Sequence, residues 1–170
     1  MSVYNSLMVK LSHIALVKKY SKTYRLGLLQ AHAFRILKQR TMRVLSPCDI
    51  NTLDWAVLGM LNDVPKLTYK EVAKELAVTS PVVTTTCEKL LNKKLIHVSK
   101  DVDDARVKHI ALTPAGKEFV EKQESIIRAG MKDVIAKAST RDLLGYIAVL
   151  QSIVSTEDLD GPEPYSWFAK

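Results

Sequence analysis

The run from Leu67 to Gly116, LTYKEVAKELAVTSPVVTTTCEKLLNKKLIHVSKDVDDARVKHIALTPAG, leaves this chain little choice of fold. Thr68 followed by Glu71 has the S/T-x-x-E spacing in which each side chain satisfies the other residue's orphan backbone N–H, so a helix starts there. Val72, Ala73 and Leu76 then recur at helical spacing. Ala77-Val78 is read as a turn. Thr79 is a second N-cap, and Pro81 falls in the first turn of the next helix, where a missing N–H does no harm. In that helix Val83, Cys87 and Leu90 form an inward stripe, leaving Ser80, Thr84, Thr85, Glu88 and Lys89 outside. Leu95–Val98 and His109–Leu112 alternate with a period near two, as strands do. They flank a charged tip from Lys100 to Lys108, so the pair reads as a β-hairpin with a long polar loop, a wing.

A helix whose exposed N-terminal half carries small hydroxyl residues can approach a duplex closely and bond to base edges or phosphates. The wing Asp101-x-Asp103-Asp104-x-Arg106, followed by Ile110-x-Leu112-Thr113-Pro114-Ala115-Gly116, resembles the MarR-type winged-helix regulators (multiple antibiotic resistance regulators). The resemblance implies a mainly α fold with a small β-hairpin: a winged helix-turn-helix core flanked by N- and C-terminal dimerisation helices. It implies double-stranded DNA and a second copy of the chain as partners, with a small-molecule effector as a further one. On this reading Ser80, Pro81, Thr84, Thr85 and Lys89 face the major groove, Lys89 toward phosphate. Arg106 and Lys108 contact DNA from the wing, and Asp104 pairs with an arginine to hold the loop's shape.

The sequence departs from the family pattern at three places. Ala105 and Thr85 stand where arginines are common, and Lys94 stands where a glycine usually ends the recognition helix in a left-handed conformation. Lysine there adopts that conformation at a cost or ends the helix differently.

Outside this run, charge is unevenly placed. The chain has 170 residues and a net charge of +7. Residues 1–48 hold nine of its 25 Lys and Arg and none of its 18 Asp and Glu, hence +9; the remainder has 16 basic against 18 acidic residues, hence −2. A basic balance fits a polyanionic partner without identifying one. An acid-free N-terminus also matches a transit peptide in composition, but helical apolar spacing continues through it without a cleavage-like break. No apolar run approaches the roughly 20 residues that span a bilayer, so membrane insertion is not expected. Cys48 and Cys87 show no metal-ligand spacing, and a reducing, cytoplasmic setting is the simpler reading. Both are taken as structural rather than redox-sensing. His13, His32, His97 and His109 are dispersed and make no i, i+4 pair, so no metal and no cofactor are expected. No nucleophile with a partnered base, glycine-rich phosphate loop or pair of apolar-set carboxylates occurs, so the chain is not expected to be an enzyme.

Residues 1–20 suggest a short amphipathic helix (Leu7, Leu11, Ile14, Val17), and Gly27 is expected to end or kink the run. Leu26, Leu29, Ala33 and Ile36 carry a second stripe to about Arg43, broken by Ser46-Pro47. Asn51, with Asp54 three residues on, starts a helix bearing Leu53, Val57, Leu58 and Leu61, and a short β-bridge is expected at Leu67. Thr113 caps a helix opened by Pro114 that runs to about Ala138, and Thr140 caps the last one. The tail from Glu157 is expected to be irregular. These signals divide the chain into 1–48, basic N-terminal helices; 49–113, the winged lobe; 114–156, C-terminal helices; and 157–170, an acidic tail. The terminal helices carry buried-type faces with nothing else to cover them, which a symmetric dimer would solve.

The expected function is a dimeric, sequence-specific DNA-binding transcriptional regulator, a repressor, tuned by a small ligand at a place lined by His32, Arg35, Trp55 and Met60. The alternative is a winged-helix protein-interaction module that has lost specific DNA reading, motivated by Ala105, Thr85 and the basic N-terminal extension.

Overall fold

The computed structural model describes residues 23–101, 104 and 106–155; the helix expected at 1–20 and the tail from Glu157 lie outside the described residues. Helix α1, Thr23–Leu45, passes through Gly27 without ending there. A single interior glycine costs roughly 1 kcal/mol, which the surrounding Leu, Ala, Gln and Arg residues, all good helix formers, offset. Ser46–Cys48 then forms one 3-10 turn, as the Ser-Pro break predicts.

Two compact units divide the chain between Thr41 and Met42. In the first, every described residue from Tyr24 to Gln39 is exposed, Phe34 by 63%. In the second, Leu45 is fully buried, so the last turn of α1 belongs with the lobe that follows it.

The lobe is built from helices α2 (Thr52–Asp63), α3 (Tyr69–Glu75) and α4 (Ser80–Asn92), and strands β1 (Leu67–Thr68), β2 (Ile96–Lys100) and β3 (Lys108–Leu112). Both start signals are complete capping boxes. Asn51 accepts from the Asp54 N–H while Asp54 accepts from the Asn51 N–H, and Thr68 and Glu71 do the same. The sheet has the order β1-β3-β2, antiparallel throughout. The expected bridge at Leu67 is present as Leu67↔Ile110 and Thr68↔His109. Leu45, Ile50, Val57, Leu58, Val72, Val83, Cys87, Leu90 and Ile110 are buried in one core around these elements. Met60 belongs to that core at 4% exposure.

Three turns in the lobe end on a left-handed residue, and none is a glycine: Asp49 (φ 52), Ala77 (φ 50) and Lys94 (φ 58). Each closes the same pair of bonds, in which the left-handed residue and its successor donate back to two carbonyls of the preceding turn. At α4 these are Lys94 N–H to the Leu91 carbonyl (2.8 Å) and Leu95 N–H to the Leu90 carbonyl (3.0 Å). Lysine thus takes the conformation that a glycine would hold without steric cost.

The turn at Lys94 prepares the next element. Thr113 donates its backbone N–H to the Leu95 carbonyl (3.0 Å) and its hydroxyl to the Lys94 carbonyl (2.8 Å). The same hydroxyl oxygen accepts from Gly116 N–H (2.9 Å), starting helix α5, Pro114–Ile135. A Cβ on Gly116 would collide with the Leu95 carbonyl oxygen. This close approach explains the glycine that ends the Leu-Thr-Pro-Ala-Gly run. Helix α6, Thr140–Ser155, is capped by Ser139 rather than by Thr140: Ser139 Oγ accepts from Asp142 N–H, and Asp142 accepts from Ser139 N–H. The reciprocal pair needs an acid three residues on, which Ser139 has in Asp142 and Thr140 lacks. Along α6, Leu144 (62%), Tyr146, Ile147 and Val149 are exposed.

Candidate nucleic-acid interface

Helix α4 separates its faces as the spacing predicts. Val83, Cys87 and Leu90 are buried, with Thr86 among them, while Ser80, Pro81, Thr84, Thr85 and Glu88 are exposed. Thr79 occupies the N-cap position but makes no side-chain capping bond. Pro81, at the second helical position, has no N–H to offer, and the Val82 N–H is taken by the Thr79 carbonyl at 3.1 Å. The N-terminus of α4 is therefore capped by backbone alone.

The two exposed threonines are tied to their own helix. Thr84 Oγ1 donates to the Ser80 carbonyl (3.0 Å) and Thr85 Oγ1 to the Pro81 carbonyl (3.1 Å). With its proton so used, each hydroxyl turns oxygen lone pairs outward and acts as an acceptor. Base edges that supply a matching donor in the major groove are the amino groups of adenine and cytosine.

Lys89 does not face outward. Its ammonium donates to Asp54 Oδ2 (2.8 Å) and lies 3.2 Å from Asp49 Oδ1. The bond to Asp54 is the main reason its pKa is raised. The ammonium expected to face phosphate is thus held by two acids, Asp54 of α2 and Asp49 before it. Cys87 is fully buried, and burial pushes its thiol up to about 11, which suits a small core residue better than a reactive one. Cys48 is half-buried, its Sγ directed at the Val44 carbonyl.

In the wing, Asp104 accepts from the Arg106 backbone N–H at 2.9 Å and so shapes the loop through main chain. Asp101, named from sequence only as part of the wing pattern, has the larger part. It accepts from Asp104 N–H (3.3 Å) and meets His109 Nε2 at 2.8 Å, while Asp101 N–H donates to the Val107 carbonyl. His109 lies on β3 eight residues later, and only the strand register brings the two together. Arg106 and Lys108 are exposed. The register also sets Lys100 directly opposite Lys108. Like charges facing each other across strands are unfavourable. Lys100 too was missed, because nothing but the hairpin's register distinguishes it from any surface lysine.

The four residues expected around a ligand fall in both units, two in each. His32 and Arg35 are exposed on α1, whereas Trp55 is half-buried and Met60 buried in the lobe.

A model of the MarR family matches residues 49–107. The HTH-type transcriptional repressor Rv2887 of Mycobacterium tuberculosis is 24% identical over 130 residues, which is 76% of this chain and 94% of that protein. Among solved structures, the MepR–DNA complex of Staphylococcus aureus matches with a TM-score of 0.64 at 28% identity, covering 80% of this chain and 98% of MepR. BpsR of Bordetella bronchiseptica, whose DNA binding is regulated by 6-hydroxynicotinic acid, matches with a TM-score of 0.68 at 22% identity, covering 82% of this chain and 97% of BpsR. Helix order, hairpin register and the family match agree over the same residues: the segment 49–107 matches the MarR family, and the chain shares the fold of MarR-type winged-helix transcriptional regulators.

Proposed function

We propose that this chain is a cytoplasmic, dimeric, sequence-specific DNA-binding repressor that reads the major groove with α4 and a minor groove with the wing. The observation that carries the reading is the facing pair Lys100 and Lys108, two residues from the exposed Arg106. A hairpin that sets two lysines opposite each other is strained alone and relieved against a polyanion. Ser80, Pro81, Thr84 and Thr85 supply the base-facing surface, with the threonine oxygens reading amino groups. A guanidinium at the wing suits the enhanced negative potential of a narrow minor groove.

Dimerisation is supported by the apolar side chains left exposed on α1 and α6, since a two-fold interface covers each such patch twice. Two copies would present two α4 helices to half-sites about one DNA turn apart. Small-molecule control, a property of BpsR, belongs to the same proposal. A melting shift with aromatic carboxylic acids, lost when Trp55 is replaced by Ala, tests it.

The DNA-reading proposal is tested by mobility shift on fragments of the gene's own upstream region. A shift that weakens steeply with salt is expected, because phosphate contacts release counterions. Arg106→Ala is expected to cost about 1–3 kcal/mol of DNA affinity while leaving the oligomeric state unchanged. If affinity for every duplex survives that substitution, the wing does not contact DNA. If no salt-sensitive shift occurs at micromolar protein, the interaction-module alternative stands instead.

A further inference from the structure

Lys89 in α4 and Lys93 at its C-cap lie four residues apart and so share one face. Both reach Asp49, Lys89 Nζ to Oδ1 at 3.2 Å and Lys93 Nζ to Oδ2 at 3.1 Å. Lys93 also donates to the Cys48 carbonyl (3.2 Å), and Lys89 to Asp54 (2.8 Å). Four acceptor atoms from residues 48–54 thus converge on two ammonium groups at the C-terminal end of α4, the end opposite its exposed hydroxyl residues.

The two acids differ in a telling way. Asp49 is exposed (side chain 73%), but its backbone is held in a left-handed conformation. Such a conformation persists only where its surroundings over-determine it. Asp54 is 1% exposed, and its Oδ1 has no hydrogen-bond partner among the described residues. A buried ion pair is a poor way to gain stability, because an apolar pair of similar volume does as well or better. What it supplies is a single accepted geometry. The apolar stripe of Val83, Cys87 and Leu90 resists separation of α4 from the lobe but tolerates small rotations and slides. The ion pairs do not.

We propose that Asp49, Asp54, Lys89 and Lys93 are positioning residues, an ionic clasp that fixes the rotation of α4 against the segment leaving α1 and so sets the aim of its hydroxyl face at DNA. The inference rests on the DNA-reading function proposed above. It assigns the lysines a role in specificity rather than in phosphate contact.

The experiment selects a duplex from a random pool with the wild-type protein, then compares affinity for that duplex and for its scrambled counterpart at one salt concentration. Asp49→Asn combined with Lys93→Gln removes the exposed half of the clasp. Lys89→Met combined with Asp54→Asn removes the buried half while keeping an acceptor for Asn51. Both variants are first checked for a cooperative melt. Affinity for the selected duplex is expected to fall about tenfold, the size of one mismatched base pair, with less than about twofold change on the scrambled duplex. Lys89→Arg, which keeps the charge, is expected to retain most of the discrimination. Equal losses on both duplexes, or an unchanged ratio in every variant that melts cooperatively, would overturn the clasp and leave DNA reading intact. A wild-type protein that enriches no duplex from the pool would remove the DNA reading, and the clasp with it. If the buried-half variant fails to fold, the exposed-half variant decides alone.

Discussion

Leu45, Leu58 and Leu90 are fully buried in the winged lobe, whereas Leu26, Leu29 and Leu144, side chains of the same kind on α1 and α6, are 48–62% exposed. The lobe closes its core with residues drawn from α1's last turn through β3 and the start of α5, and every one of its helices begins or ends on a satisfied backbone. The terminal helices bring comparable apolar content that the described residues leave uncovered. Burying a leucine stabilises by roughly 1.5–3 kcal/mol relative to leaving it in water. On the dimer proposed above, the two regions differ in where their stability comes from: the lobe's is intramolecular, and that of the terminal helices would depend on concentration.

The largest expected effect tests the lobe's side of this contrast. Gly116→Ala drives a methyl group into the Leu95 carbonyl and is expected to cost about 3 kcal/mol of lobe stability, read as a drop in urea midpoint at constant slope. A midpoint unchanged by alanine would mean that β2 and α5 are not locked together there. On the other side, Phe34→Glu is expected to weaken self-association by about 2 kcal/mol or more, measured by sedimentation, while near-UV dichroism of the lobe stays as in the wild type. Loss of lobe structure in the same variant would erase the distinction drawn between the regions.

A smaller change is expected from relieving the lobe's own strain. Lys94→Gly removes a left-handed penalty of about 1–2 kcal/mol and returns part of it as unfolded-chain entropy, for a net gain of about 0.5–1 kcal/mol in thermal unfolding. Destabilisation would show that the lysine side chain contributes more than its backbone costs. The smallest effect concerns pH. The Thr68 N–H holds the Glu71 carboxyl below its usual value of 4.5. A folded pKa below the unfolded one means a contribution present above about pH 4.5 and lost as pH falls through the folded value. Glu71→Gln keeps an acceptor for the Thr68 N–H but loses the charge, so it is expected to be slightly less stable than the wild type near pH 7 and to converge with it as pH falls below about 4.5.

What could be read from sequence was short-range. Asn51 with Asp54, Thr68 with Glu71, and Thr113 ahead of Pro114 are bonds between residues a few positions apart, and all three start helices where expected. The Val83, Cys87, Leu90 stripe was legible because helical geometry alone decides which side chains share a face. Lys89 was not, because its partner Asp54 is 35 residues away and reaches it only through the packing of α2 on α4. His109 and Asp101 meet through strand register, which a one-residue slip would undo. At the last helix, Ser139 and Thr140 are adjacent cap-type residues, and only the position of Asp142 separates them.

The brevity of β1 has a mechanical consequence. Its two residues pair with Ile110 and His109 and then stop, so beyond His109 the hairpin continues as a two-stranded ribbon carrying Arg106 at its far end. A ribbon clamped by a third strand at its base and by one neighbour beyond it bends where the clamp ends, at the cost of fewer hydrogen bonds than bending at its root. The wing is in this sense a cantilever with its fulcrum at His109. On the DNA reading proposed above, duplexes of different groove width would be met by deflecting the ribbon about that point, with α4 left seated.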